Sequence, residues 1–233
     1  MQCPKCLTTC ADDAAECPRC RVVFSKIAQR SSVVQGAPRP TGEDPPLVAA
    51  PPDPLRGIAR SGRIALLALL VWWTWQFARA PMGAVAMESV LHLPNLVFHE
   101  AGHVILGLFG RFMSVLGGSL FQLIVPVVLA GAFIRQREWF GAAVCVWWAG
   151  QNLVDLAPYI ADARALRLVL LGGKTGAEVE GHDWEYLLSA LGWMHLDRTL
   201  GLAAHQLGLV IMVGALVGGA WYAAGGSKIS RGR

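Results

Sequence analysis

Charged side chains are scarce in this chain of 233 residues. Asp, Glu, Lys and Arg make up only 15% of it, whereas hydrophobic residues make up 54%. Soluble globular domains carry about 25% charged residues, so this composition favours a chain that lies largely in lipid. The net charge is +4, but the sequence has no dense stripe of Lys and Arg with interleaved aromatic residues. We therefore expect no nucleic-acid partner.

Cysteine is almost absent beyond the N-terminal segment, which holds five of the six cysteines. No apolar segment precedes them, so we expect no signal peptide and an N-terminus in the reducing cytosol, where thiols stay free to bind metal. Cys3, Cys6, Cys17 and Cys20 form two C-x2-C pairs, the spacing of a zinc ribbon with four sulfur ligands. Such a closed site leaves no open position for chemistry. Its predicted role is structural or recognitive, with zinc supplying folding energy.

Composition divides the chain into four parts. Residues 1–24 are the predicted zinc ribbon. Residues 25–56 are rich in Pro, Gly and Ala, cannot bury a core, and are predicted to form a flexible linker. Residues 57–227 are the predicted membrane helix bundle with a metal site, and residues 228–233 are a basic tail.

Five apolar segments predict five membrane-spanning helices. Helices follow because lipid offers no water to satisfy an open backbone. The segments are residues 64–78, 88–110, 112–134, 139–161 and 199–227. The fold class expected is an all-α polytopic membrane helix bundle with about five spans and a small N-terminal zinc ribbon. The Lys and Arg residues of the connecting segments favour a cytosolic N-terminus, in a bacterial inner membrane.

The second apolar segment contains the sequence FHEAGH. Its histidines, His99 and His103, lie four residues apart, so a helix would place both on one face, where they can share one zinc. Glu100 could then act as general base on the water that the zinc binds. Two histidines and a glutamate are costly in an apolar helix, which indicates a function. The alternative is a hydrogen-bonded polar cluster that packs helices together.

A catalytic zinc needs a third protein ligand and an open fourth position. The candidates are Asp155, Asp162, His182 and Asp183. His103 and Asp155 each precede an arginine by eight or nine residues, which at 1.5 Å per residue puts both about 12–14 Å from one membrane face. This depth favours Asp155, with Asp162 next. The other two are expected outside the membrane unless their loop folds inward.

Two amide side chains, Gln151 and Asn152, lie one helical turn before Asp155. They could hold a substrate strand or an oxyanion, and hydrogen bonds between helices are an equal alternative. The isolated histidines His92, His195 and His205 are interpreted as structural or interfacial. Cys145 is interpreted as a small core residue of its span. Cys10 is interpreted as a spare thiol, and the alternative is that it replaces one of the four ribbon ligands.

HEAGH in an apolar segment, followed two spans later by the Asn/Pro segment QNLVDLAPYIADAR (residues 151–164), resembles the site-2 protease family of intramembrane metalloproteases. The resemblance implies a zinc endopeptidase that cuts membrane proteins, with an aspartate of the later segment as a metal ligand and access from the cytosolic side. The expected cofactors are one structural and one catalytic zinc. The expected partners are a membrane-protein or peptide substrate, the lipid bilayer and a cytosolic protein that binds the ribbon. The alternative function is a non-enzymatic membrane adaptor whose zinc ribbon binds a partner protein.

Overall fold

The structure is a computed structural model. It describes residues 1–12, 14–25, 54–83 and 85–224. The chain divides into two compact units, Met1–Pro51 and Pro52–Arg233. Most of the predicted linker (residues 25–56) and all of the predicted basic tail (residues 228–233) lie outside the described residues, so these bounds stay predictions.

The N-terminal unit is built from two similar turns, one around each C-x2-C pair. In the first turn the backbone N–H of Leu7 donates to the carbonyl of Cys3 at 2.9 Å, and in the second Arg21 donates to Cys17 at 2.8 Å. Leu7 and Arg21 both have positive φ angles, 58° and 53°, which lets the chain turn back sharply after the second cysteine of each pair. An isolated antiparallel bridge closes each turn. All four cysteines of the predicted ribbon are thereby brought together.

Helices make up the second unit. Its α-helices, in the residues described, are α1 (Pro54–Arg79), α2 (His92–Leu106), α3 (Arg111–Arg135), α4 (Trp139–Ala161), α5 (Asp183–Leu191) and α6 (Asp197–Ala223). Short 3-10 turns, Gly107–Phe109 and Met194–Leu196, precede α3 and α6. The same residues hold isolated bridges but no β-strand, which confirms the predicted helical class.

Two helical segments are long and apolar enough to cross a membrane. They are Arg111–Arg135, which is α3, and Met194–Ala223, which is α6 with its preceding turn. The prediction of five spans is not supported. Helix α2 has 15 residues and measures about 23 Å at 1.5 Å per residue, less than the roughly 30 Å hydrocarbon core. Helices α1 and α4 are long enough, but the arginines of α1 and the amide and acidic residues of α4 lower their hydropathy.

Small residues bring the helices of the bundle into backbone contact. A Cβ atom at Gly150 of α4 would lie 2.7 Å from the carbonyl oxygen of Gly208 in α6, and the reverse distance is 2.6 Å. Gly102 of α2 and Gly117 of α3 face each other in the same way. Helix α4 therefore packs against α6 and α2 against α3, and α3 also packs against α4, so that polar residues of α2, α3 and α4 meet.

Candidate functional site

The four ribbon cysteines form a candidate metal site. The Sγ atoms of Cys3 and Cys20 are 3.6 Å apart, as are those of Cys6 and Cys17, and all four lie within 4.8 Å of one another. A tetrahedral zinc with bonds of about 2.3 Å holds its sulfurs about 3.8 Å apart, so the spacing fits one ion. The backbone N–H of Cys20 lowers the pKa of the Cys17 thiol to about 6, which favours the thiolate that binds metal.

The fifth cysteine of the ribbon lies at the edge of this cluster. The Sγ of Cys10 is 3.8 Å from that of Cys17 and donates to the carbonyl of Thr8 at 3.4 Å. Cys10 is thus occupied by a backbone acceptor and is not one of the four convergent sulfurs.

The HEAGH side chains form a second candidate metal site, on α2. The rings of His99 and His103 are 4.9 Å apart between centroids, and the ligand atoms of both lie within 4.8 Å of a carboxylate oxygen of Glu100. His99 is buried, His103 is half-buried and Glu100 is exposed. The i, i+4 spacing therefore places both imidazoles on one face, as predicted from the sequence.

Acceptors on α3 fix the orientation of both imidazoles. The Nδ1 of His99 lies 3.0 Å from Oε1 of Gln122, and the Nδ1 of His103 lies 2.9 Å from the carbonyl oxygen of Ser114. Carbonyl oxygens only accept, so each Nδ1 carries a hydrogen, and a metal ion in the site would take the lone pair of each Nε2. Metal-binding histidines usually have their second nitrogen held in this way. The sequence indicated no role for Gln122 or Ser114.

A third donor atom comes from Asp183, the first residue of α5. Its Oδ2 is 2.9 Å from Nε2 of His99 and 3.2 Å from Nε2 of His103. Nitrogen and oxygen ligands bound tetrahedrally at about 2.0–2.1 Å lie about 3.3–3.4 Å apart. The Asp183 oxygen thus lies from both imidazole nitrogens at nearly the spacing that one shared metal ion would give.

Gly118 of α3 keeps the space in front of these atoms open. A Cβ atom at this position would lie 2.6 Å from Nε2 of both His99 and His103, closer than real contacts allow. Every residue other than glycine would therefore occupy the place where an ion would bind. The open space and the donor set together fit a metal ion.

Helix α5 is docked so that its first residue enters the site. The backbone N–H of Asp183 donates to the hydroxyl oxygen of Tyr159 on α4 at 2.9 Å, and the indole of Trp184 donates to Ser119 of α3 at 3.1 Å. His182 caps the helix, since its Nδ1 accepts a backbone N–H of the first turn at 3.2 Å. Burial lowers the pKa of His182, which favours the neutral ring that this cap requires.

Asp155, the predicted third ligand, does not contact the Nε2 atoms of the two HEAGH histidines. Its carboxylate accepts from Nδ1 of His92 at 3.0 Å, from Asn95 at 3.1 Å and from Gln122 at 3.2 Å. Gln122 in turn accepts from Nδ1 of His99. Asp155 therefore helps to orient the candidate ligand His99 through Gln122. The depth argument placed Asp155 correctly beside the site, but it assumed that the ligand came from a spanning helix. The loop before α5 folds inward instead and brings Asp183 to the front.

Asp162, the second choice for the ligand, ends α4. Its carboxylate accepts the backbone N–H groups of Arg167 and Leu168 at 3.1 and 2.9 Å, and it lies 3.5 Å from Nε2 of His182. The two backbone hydrogen bonds fix the start of the loop that delivers Asp183. The geometry gives Asp162 a loop-anchoring role rather than contact with the HEAGH histidines.

The amides predicted to bind substrate are enclosed in the bundle. Gln151 accepts from Asn95 at 2.8 Å, and Asn152 donates to the carbonyl of Trp148 at 2.9 Å. Both Gln151 and Asn152 are 0% exposed, and neither lines the cavity beside the histidines. In this geometry they make packing contacts and do not reach a substrate.

A cavity of about 510 Å³ opens in front of the candidate site. Its polar wall includes both histidines, Glu100, Tyr159 and Asp183. Its apolar wall comes from the segment before α2, from α2 and α4, and from the loop that joins α4 to α5. The apolar side chains of that wall are Met87, Leu96, Leu156, Val169, Leu170, Leu171 and Val179.

Comparisons with known proteins identify no relative of this chain. No protein-family model, no curated protein and no solved structure matches the chain.

Proposed function

We propose that this protein is a membrane-embedded zinc metalloendopeptidase that hydrolyses peptide bonds in membrane-protein substrates. The observation that carries the proposal is the convergence of His99 Nε2, His103 Nε2 and Asp183 Oδ2, at 2.9 and 3.2 Å, beside the carboxylate of Glu100. Three protein ligands with an adjacent acid are the arrangement of a catalytic rather than a structural zinc, whose fourth position stays open.

The zinc would lower the pKa of a water and polarise the substrate carbonyl. Of the three HEAGH residues that could bind metal, only Glu100 is exposed. Its carboxylate is therefore free to take a proton from the attacking water. The water oxygen then bonds to the carbonyl carbon, the C–N bond breaks, and Glu100 returns the proton to the leaving amine. His99, His103 and Asp183 hold the ion in this scheme and exchange no protons.

A membrane setting is supported by the apolar side chains that cover the outer faces of the bundle. Val104 of α2 and Leu108 of the turn after it are 78% and 88% exposed, and Val128 of α3 and Val210 of α6 are 62% and 69% exposed. Exposed apolar side chains in such numbers favour contact with lipid or protein. We therefore propose that the bundle lies in the bilayer with the HEAGH site partly immersed; a cytosolic N-terminus is proposed from the Lys and Arg residues of the connecting segments alone.

The lining of the cavity suits a peptide with apolar side chains. Leu170 and Val179 of the α4–α5 loop line it together with Glu100. The resemblance of the HEAGH segment to site-2 proteases supports the same substrate class. The ribbon, with its closed four-sulfur set, is assigned to the binding of a cytosolic partner protein.

Substitution of the base tests this function. Full-length protein and its Glu100→Gln variant would be reconstituted with a pool of transmembrane peptides, and the products read by mass spectrometry. We expect Glu100→Gln to keep its metal and to lose cleavage. Glu180→Gln is the matched control, because Glu180 lines the same cavity outside the HEAGH sequence. Cleavage that survives in Glu100→Gln would contradict the catalytic assignment and favour the adaptor.

A further inference from the structure

Peptide hydrolysis places negative charge on the substrate's carbonyl oxygen, and a hydrogen-bond donor aimed at that oxygen lowers the barrier. Donors are few in this cavity. Its lining, within the described part of the chain, includes no Lys, Arg, Ser, Thr, Asn or Trp. The side chains of the lining that can donate are His92, His99, His103, Gln122 and Tyr159.

Four of these five donors are committed elsewhere. His99 and His103 direct their Nδ1 hydrogens at acceptors on α3. The amide of Gln122 accepts from His99 and donates to Asp155 at 3.2 Å. His92 is bound to the same carboxylate through Nδ1 and precedes His99 by seven residues, which is about 10 Å along a helix. None of the four is placed to reach the reacting carbonyl.

The fifth donor, Tyr159, lies in the site itself. Its ring packs edge-on against His99 with centroids 6.2 Å apart, and against His182 at 4.3 Å. Its hydroxyl oxygen accepts the backbone N–H of Asp183 at 2.9 Å. This contact uses a lone pair and leaves the hydroxyl hydrogen, so the group is held in place while its one donor stays available.

The carboxylate of Asp183 is the nearby competitor for that hydrogen. A cation bound by Asp183 would neutralise this carboxylate and weaken it as an acceptor. The hydroxyl hydrogen of Tyr159 would then be available to a substrate oxygen bound in the site.

Resting on the proposed function, we propose that Tyr159 is a further catalytic residue whose hydroxyl donates a hydrogen bond to the substrate carbonyl oxygen as the tetrahedral state forms. The hydrogen stays on Tyr159 throughout, and Glu100 remains the only group that moves a proton. Removal of one such donor typically lowers kcat by about 10²–10³. The competing role is structural, in which the hydroxyl only positions the backbone of Asp183.

Acetohydroxamate separates these roles without a known substrate, because it binds an accessible metal and presents oxygens to nearby donors. Full-length protein loaded with cobalt(II) would be titrated with acetohydroxamate, and the spectrum of the His99→Ala variant subtracted to remove the ribbon's contribution. Tyr159→Phe is compared with Tyr186→Phe, a tyrosine of α5 that lies outside this cavity and stacks on Arg111. Cobalt and zinc content are measured for each protein.

We expect Tyr159→Phe to keep its metal and to bind acetohydroxamate about tenfold more weakly, the loss of one hydrogen bond, with Tyr186→Phe unchanged. Equal affinities in Tyr159→Phe and the parent would overturn the proposal. Loss of metal in Tyr159→Phe would also overturn it, since the hydroxyl would then be a positioning group for Asp183. A parent protein whose spectrum does not differ from that of His99→Ala would contradict the proposed function itself.

Discussion

The strongest expectation from the structure concerns which aspartate binds the metal. Asp183 is the only one of the three candidate aspartates with an oxygen against Nε2 of His99 and His103. Asp155 touches His99 only through Gln122. The three Asp→Asn substitutions keep side-chain size and remove one charge each, so their effects on metal affinity are directly comparable.

The expected order is Asp183, then Asp155, then Asp162. Loss of an outer partner of a ligating histidine typically lowers metal affinity 10- to 100-fold, which is the range we expect for Asp155→Asn. Asp183→Asn removes a ligand and should exceed 100-fold, or about 2.8 kcal/mol. Asp162→Asn only loosens the start of the loop, where it accepts two backbone N–H groups, and should change affinity less than tenfold.

Competition against a chelator of known zinc affinity measures these differences in detergent-purified full-length protein. The ribbon supplies an internal reference, because its four sulfurs are untouched by the substitutions and its zinc should titrate alike in every variant. Asp183→Asn binding with the parent affinity, or Asp155→Asn binding more weakly than Asp183→Asn, would refute the assignment of Asp183.

Three further substitutions test other parts of the account. Gly118→Ala should abolish metal binding at the HEAGH site, because the added methyl group occupies the place of the ion. Gly131→Ala is the control on the same helix, since its methyl group meets open space, and it should leave the metal content unchanged. Atomic absorption measures the metal content of both variants. Cys17→Ser should remove the ribbon's zinc and unfold that unit, seen as new protease cleavage before residue 25, and an intact ribbon would contradict the four-sulfur site. Arg164→Ala leaves the carboxylate of Asp197, which is 1% exposed, without its bidentate partner. An unpaired carboxylate enclosed by protein destabilises the fold, so we expect a lower thermal midpoint in detergent, and an unchanged midpoint would contradict a role for this pair in stability.

Residues whose chemistry is set by local spacing were predictable from the sequence. Cys3 and Cys17 begin C-x2-C turns, and a turn of that length brings its own two sulfurs together whatever the rest of the chain does. His99 and His103 share a helix face for the same reason, because four residues make about one turn. The metal-binding groups at both places follow from these short distances along the chain.

The third candidate ligand, Asp183, could not be predicted from local spacing. Asp183 reaches His99 across 84 residues, and its position depends on a loop whose ends are tied down by Asp162 and Tyr159. The depth of each polar residue was estimated from its distance along its own helix to the nearest arginine. Such an estimate does not include a loop that folds into the bundle. A signal was nevertheless present in Gln122, a lone amide in an apolar run, which marks the face of α3 that meets polar partners.

The structure supports fewer spans than the five predicted, for a related reason. Apolar composition in residues 88–110 indicated a spanning helix, but Gly107 and Gly110 lie in and after a 3-10 turn that ends α2. The chain then re-enters a helix at Arg111. The composition of such a segment predicts an apolar surface but does not show that the helix ends within the segment.

A metal centre at HEAGH is tested by the zinc content of the full-length protein, purified in detergent, compared with that of His99→Ala. We expect about two zinc ions per chain in the parent, one in each site, and about one in His99→Ala, where only the ribbon remains loaded. One zinc in both proteins, with the fold intact, would contradict a metal centre at HEAGH and with it the proposed peptidase.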